Sequence, residues 1–137
     1  MSTKKSILDA TDTTLPTLNY AVALQKNAAS IGFDWPEIHG VIEKIHEELE
    51  EVTRELAIAN NHERIEDELG DLLFACSNLA RHLDIDPEMA LKQGCQKFYT
   101  RFNAIEQLID TSSKDITNYS LRELDQLWHL VKQQEPK

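Results

Sequence analysis

The stretch EKIHEELEEVTRELAIANNHERIEDELGD, from Glu43 to Asp71, decides how the chain folds. Its eleven acidic side chains face three basic ones, Lys44, Arg54 and Arg64, so it carries −8 of the chain's formal −10. Apolar residues recur through it at spacings of three and four, Ile45, Leu49, Val52 and Leu56, then Ile65 and Leu69, which is the period of an amphipathic helix. Asn60-Asn61 interrupts the pattern, and such a pair suits the end of one helix and the cap of the next. Two helices joined by so short a turn most simply run antiparallel. Acids this dense repel one another, and a stable fold either spreads them over solvent or gathers them round a cation.

The same period extends outward on both sides. From about Leu15 to Ile31 an apolar stripe predicts a first helix, with Pro16 near its first turn and Gly32 after its end. Phe33-Asp34-Trp35-Pro36 punctuates the chain, with Asp34 or Trp35 as the cap of a second helix that runs to about Ala59 and buries Ile38, Val41, Ile42, Ile45, Leu49, Val52 and Leu56. A third helix, about His62 to Leu83, buries Ile65, Leu69, Leu72, Leu73, Cys76, Leu79 and Leu83. Asp86-Pro87-Glu88 then supplies a cap, a proline and an acid at the start of a fourth helix reaching about Ile109, with Leu91, Cys95, Phe98, Phe102, Ile105 and Ile109 inward. Ser120 and Glu123 make a capping box before a last short helix. No β-alternation is found, so the fold class is all-α, a four-helix-bundle-like domain with a short extra C-terminal helix. The expected organisation is a mobile N-terminal arm over residues 1–13, the helical domain over 14–110, and a linker with the final helix over 111–137.

At 137 residues the chain is expected to be one domain with one core. No apolar run approaches the ~20 residues of a membrane span, and no apolar leader follows the N-terminal lysines, so a cytoplasmic protein with no membrane partner is expected. Cys76 and Cys95 lack zinc-like spacing and read as buried, reduced thiols. A net charge of −10 argues against nucleic acid as a partner, and an anionic substrate would need bound cations or a local basic cluster.

Glu48 and Glu51 are three apart on the second helix, as are Glu68 and Asp71 on the third, so each pair shares a face. Brought together by the turn, four carboxylates would form an oxygen cage for Mg2+, with Mn2+ as a substitute, and Glu47 lies beside them. A solvated helix face accounts for the same acids equally simply. Lys97 and Arg101, one turn apart on the fourth helix, can aim two cations at one anion or serve as a solvated basic face. Lys44 is placed to neutralise the acids or touch a phosphate. Asn78, two turns after Asp71, can bond a sugar or base or join an amide network. Trp35 and Trp128 can stack on a base, although a lone Trp in a bundle is ordinarily core.

These residues carry a resemblance. Glu47-Glu48-Leu49-Glu50-Glu51 fits EExxE and Glu68-Leu69-Gly70-Asp71 fits ExxD, the paired signature of MazG-type nucleoside triphosphate pyrophosphohydrolases. GFDW at Gly32 to Trp35, GVIEKIHEELEEV at Gly40 to Val52, ELGDLLFACSNLARHLDIDPEMAL at Glu68 to Leu91 and KFYTRF at Lys97 to Phe102 are similar to that family's sequences in unbroken order, over roughly residues 18 to 109. The chain resembles most the C-terminal repeat of two-repeat MazG proteins. The resemblance implies Mg2+-dependent hydrolysis of a nucleoside triphosphate, usually a deoxy one, to the monophosphate and pyrophosphate. It implies metal ligands at Glu48, Glu51, Glu68 and Asp71, phosphate contacts at Lys97 and Arg101, a functional tryptophan at Trp128, and a tight homodimer that often forms a tetramer. Glu47 is the first candidate for the carboxylate that orients or deprotonates the attacking water. Rival readings are a related dUTP, dCTP or phosphoribosyl-ATP pyrophosphohydrolase and a non-catalytic helical interaction module. A di-iron bundle would need two Glu-x-x-His motifs, and the chain has one, Glu43 to His46.

Overall fold

The computed structural model describes residues 5–136. Five α-helices and two 3-10 turns account for the regular structure, with no strand among the described residues: α1 Thr17–Ala29, α2 Ile38–Leu56, α3 His62–His82, α4 Pro87–Asp110 and α5 Leu121–Gln134. The fold is all-α. The chain divides into two compact units, one ending at Ala90 and the other beginning at Leu91.

In the first unit α3 is the central element, with α1 and α2 both packed on it. Glu55 meets Arg64 beside the α2–α3 turn, and Glu48 approaches Glu68 and Asp71 further along, the order an antiparallel pair requires. Asn60 takes a left-handed backbone at φ 56 to make that turn. The Asn61 amide donates to the Glu55 carbonyl at 3.2 Å and also to its carboxylate. Glu55 is therefore buried, held by Asn61 and Arg64.

Helix ends follow the expected chemistry with one exception besides Asn61, which stands at the N-cap of α3 without a side-chain cap bond. Gly32 adopts φ 91, and the N–H groups of Gly32 and Phe33 close α1 on the carbonyls of Ala29 and Ala28. Asp86 Oδ1 accepts from the Glu88 and Met89 N–H groups at the start of α4, while Glu88 accepts from the Leu18 N–H and so caps α1. The exception is Asp34. It does not cap α2, which begins at Ile38 with Glu37 as N-cap and no side-chain cap. Its carboxylate is taken by Arg81 at 2.5 Å, His82 at 2.9 Å and the Trp35 N–H at 2.8 Å. The segment between α1 and α2 is thereby tied to the end of α3.

Residues 1–4 of the expected arm lie outside the described residues. From Ser6 the chain forms a 3-10 turn, Ile7–Ala10, closed by a capping box between Ser6 and Asp9. Thr11 behind it is buried, its hydroxyl accepting from Asn27 at 2.7 Å.

The second unit holds Leu91–Asp110 of α4, a 3-10 turn Ile116–Asn118 and α5. Ile105, Ile109 and Val131 form its core, covered by Leu124, Leu127, Trp128 and Tyr119. Ser120 and Glu123 form the expected capping box.

Burial departs from the amphipathic reading. On α2, Val41 is 1% exposed, whereas Ile42, Leu49 and Leu56, at 39%, 49% and 63%, stay open. The positions turned inward are Val41, Glu48 and Glu55, one heptad apart, and the apolar stripe lies beside them. Leu69, Leu73, Leu83, Leu91, Phe98 and Phe102 were also expected inside and are exposed, as are Cys76 and Cys95, both free thiols. Helical periodicity identifies an apolar face without specifying what covers it.

Candidate functional site

Glu48 comes from the middle of α2, and Glu68 and Asp71 from one face of α3, where the i, i+3 spacing sets them side by side. Carboxylate oxygens of the three lie within 4.8 Å of one another. Burial holds Glu68 above the usual carboxylate range, with the charges of Asp71, Glu51 and Glu48 adding to it. Asp71 is raised likewise, by burial first and then by Glu48 and Asp67, while Lys44 acts in the opposite sense. Negative charge is concentrated at this point.

Glu51, the fourth expected ligand, stands outside the trio, paired with Arg54 at 3.1 Å. Its charge still reaches Glu68. Glu47 is also outside it, largely exposed and 3.5 Å from Lys44. Lys44 lies closer to Glu48, at 3.0 Å, a hydrogen bond that raises the lysine's own pKa. Of the alternatives for Lys44, neutralising the acids is the contact observed.

A cleft of about 810 Å3 opens beside the trio, with Glu48, Asp71 and Lys44 at one part of its lining. Phe74, Ala75 and Asn78 from α3, Gln25 and Ala28 from α1, Phe33 and Trp35 from the intervening segment, and Leu8 complete most of the wall. Trp35 is thus not core: its ring is half-exposed on the cleft and packs against Gly40, where an added Cβ would stand 2.9 Å from Trp35 Cε3. Asn78 accepts from Arg81 Nε at 2.9 Å, which leaves its amide N–H groups to donate. Gln25 donates to the Phe74 carbonyl at 2.9 Å, and its own Oε1 is buried with no donor among the described residues. A polar end and an apolar, aromatic wall in one cleft match a ligand with a charged and a flat part.

In the second unit, Arg101 is gripped by Glu135 through Nε at 2.6 Å and Nη2 at 3.0 Å, with its guanidinium carbon 5.4 Å from the Trp128 ring centre. Trp128 in turn meets Phe98 at 5.6 Å. Lys97 lies near enough for its charge to lower the Glu135 pKa, after the larger effect of Arg101. Sequence reasoning did not single out Gln25, Phe74 or Glu135, because none belongs to a spaced motif.

A family model described as the MazG nucleotide pyrophosphohydrolase domain matches residues 37–105. The chain belongs to the MazG family. Its matched part spans α2 and α3 with the whole trio, and Lys97 and Arg101 of α4, but neither Trp128 nor Glu135. Relatives of this MazG domain include the nucleoside triphosphate pyrophosphohydrolase of Escherichia coli K12, 39% identical over 95% of this chain and 50% of the relative. The nucleoside triphosphate pyrophosphohydrolase/pyrophosphatase MazG of Thermotoga maritima is 39% identical over 94% and 49% respectively. The uncharacterized protein YabN of Bacillus subtilis is 38% identical over 98% of this chain and 27% of its own length. The chain spans about half the length of the first two. Among its described residues no helix is long and apolar enough to cross a membrane.

Proposed function

We propose that this MazG domain hydrolyses (deoxy)nucleoside triphosphates to the monophosphate and pyrophosphate, in the service of nucleotide-pool house-cleaning. The observation that carries the reading is the carboxylate trio set at the polar end of an aromatic cleft, on a chain of a family whose relatives bear that activity in their names.

The donor set fits a hard divalent cation, Mg2+ with Mn2+ as substitute: three carboxylates, two of them with raised pKa, and one lysine as the nearby counter-charge. Glu48, Glu68 and Asp71 would hold it, and Glu51 would complete the set in place of its partly exposed pair with Arg54, worth less than about 1 kcal/mol. A cation so held supplies neutralisation of the triphosphate's charge and a lowered pKa for water.

The chain's own groups do the rest. Glu47, beside the trio, orients the attacking water and takes its proton. Cleavage falls between the α and β phosphates and gives the monophosphate and pyrophosphate. Lys97 and Arg101 hold phosphate oxygens, and Trp128 supports Arg101. Lys44 shifts from Glu48 towards the phosphates. Asn78 donates to the sugar or base, and Trp35 and Phe74 give the base apolar surface.

The partner is a second copy of the chain. Ile42, Leu49 and Leu56 on α2, with Leu69 and Leu73 on α3, are exposed apolar side chains that a partner can cover. A homodimer covers it, and a further pairing would give a tetramer. The test is a panel of nucleoside triphosphates with Mg2+, scored for pyrophosphate: turnover of at least one supports the reading, and no turnover of any with an intact fold leaves the non-catalytic alternative.

A further inference from the structure

Arg101 presents five N–H donors on a planar fork with two usable edges. Glu135 occupies one of them, Nε and Nη2, with both carboxylate oxygens. The remaining donors, on Nη1 and the outer side of Nη2, have no partner among the described residues. The guanidinium also lies against Trp128. Trp128 and Glu135 are seven residues apart, two turns of α5 and its end, so one face of that helix supplies both the surface beneath the guanidinium and the anion at its edge. Among the described residues three cations hold the Glu135 pKa down, Arg101 foremost and then Lys97 and Lys132. On a chain of net −10, this is a local cationic surplus.

We propose that Glu135 is a positioning residue: it fixes the Arg101 plane against Trp128 so that the free edge of the guanidinium receives one phosphate group. The inference rests on the hydrolase reading only in taking that phosphate to be part of a nucleoside triphosphate. Both edges of the fork offer two parallel N–H groups, and Glu135, on the Nε–Nη2 edge, leaves the Nη1–Nη2 edge to meet an anion. A side chain with four rotatable bonds, locked at one end by a bidentate pair and an aromatic face, loses little further freedom on meeting the anion.

Two measurements on the full chain test this. Binding of inorganic tripolyphosphate with saturating Mg2+ is followed by calorimetry, and pyrophosphate release from a deoxynucleoside triphosphate by steady-state kinetics, in wild type, Glu135→Gln, Glu135→Asp, Arg101→Ala and the double variant Glu135→Gln with Arg101→Ala. Glu135→Gln is expected to weaken tripolyphosphate binding and raise KM by about tenfold, the scale of one charge-assisted hydrogen bond, with a smaller fall in kcat. Glu135→Asp recovers part of the loss, and the double variant is no worse than Arg101→Ala alone. A structural defect would instead lower kcat with the active fraction and leave KM unchanged. Equal or tighter tripolyphosphate binding by Glu135→Gln, or additive losses in the double variant, overturns the inference. Because the binding arm needs no turnover, the expected pattern there without pyrophosphate release from wild type sustains the role of Glu135 and defeats the hydrolase reading; wild-type turnover with a neutral Glu135→Gln does the reverse.

Discussion

Lys44 Nζ stands 3.0 Å from Oε1 of Glu48, and the Glu48 side chain is nearly buried while the lysine is partly open to water. This is the one cationic contact made to the trio of Glu48, Glu68 and Asp71 among the described residues. Replacing Lys44 by Met leaves Glu48 without that partner, a loss of about 1–3 kcal/mol for a partly buried charge. The metal-free variant is expected to melt below wild type, and Mg2+ is expected to raise its melting temperature by more than it raises that of wild type. An equal Mg2+ response in both proteins would mean that Lys44 does not compete with the cation for these oxygens.

Gly40 is required by Trp35. A methyl group at position 40 would meet the indole at 2.9 Å, closer than carbon atoms approach without movement. Gly40→Ala is expected to destabilise the first unit by about 1–3 kcal/mol through overpacking, despite alanine's better helix propensity. It should also weaken nucleotide binding, because the ring lines the cleft. Thermal denaturation and KM check the two effects; a more stable protein would show that the ring yields freely.

Gly94 gives the opposite case. Nothing lies within 4 Å of an added Cβ there, and its φ is not in the left-handed region. Gly94→Ala is expected to stabilise α4 by about 0.5–1 kcal/mol, measured as a higher denaturant midpoint. A lower midpoint would place a second chain against this position.

Glu123 is held well below the usual carboxylate range, lowered from 4.5 to about 2 by Lys114 first and then by the Ser120 cap. A depressed carboxyl contributes stability that is complete above the ordinary pKa and disappears as pH falls through the folded one. The stability difference between wild type and Glu123→Gln is therefore expected to be full above pH 4.5 and to shrink as pH falls towards about 2. A difference constant across that window would remove the ion pair and cap from the account of α5.

How much of this was written in the sequence depends on whether its cause is local. The caps at Asp86 and Ser120, the left-handed stop at Gly32 and the turn at Asn60-Asn61 rest on neighbours a few residues away, and they appear where expected. The meeting of Glu48 with Glu68 and Asp71 was legible because i+3 spacing and a short turn leave few alternatives. The local pattern offers Asp34 or Trp35 as a cap, but the partners that take Asp34, Arg81 and His82, lie nearly fifty residues away. On α2, Ile42, Leu49 and Leu56 mark an apolar stripe, but the residues buried are Val41, Glu48 and Glu55. Glu135 sits outside any spaced motif, and only the helix pair that brings it to Arg101 gives it meaning.

The most direct test of the central claim is pyrophosphate release from a panel of deoxynucleoside triphosphates with Mg2+, in wild type and in Asp71→Asn. The account expects at least one nucleotide to be cleaved to its monophosphate. Activity should stop with EDTA, and in Asp71→Asn it should fall by at least the roughly 10–100-fold that disturbing a metal site costs. Turnover that survives both EDTA and Asp71→Asn, or none from a folded wild type on any nucleotide, would contradict it.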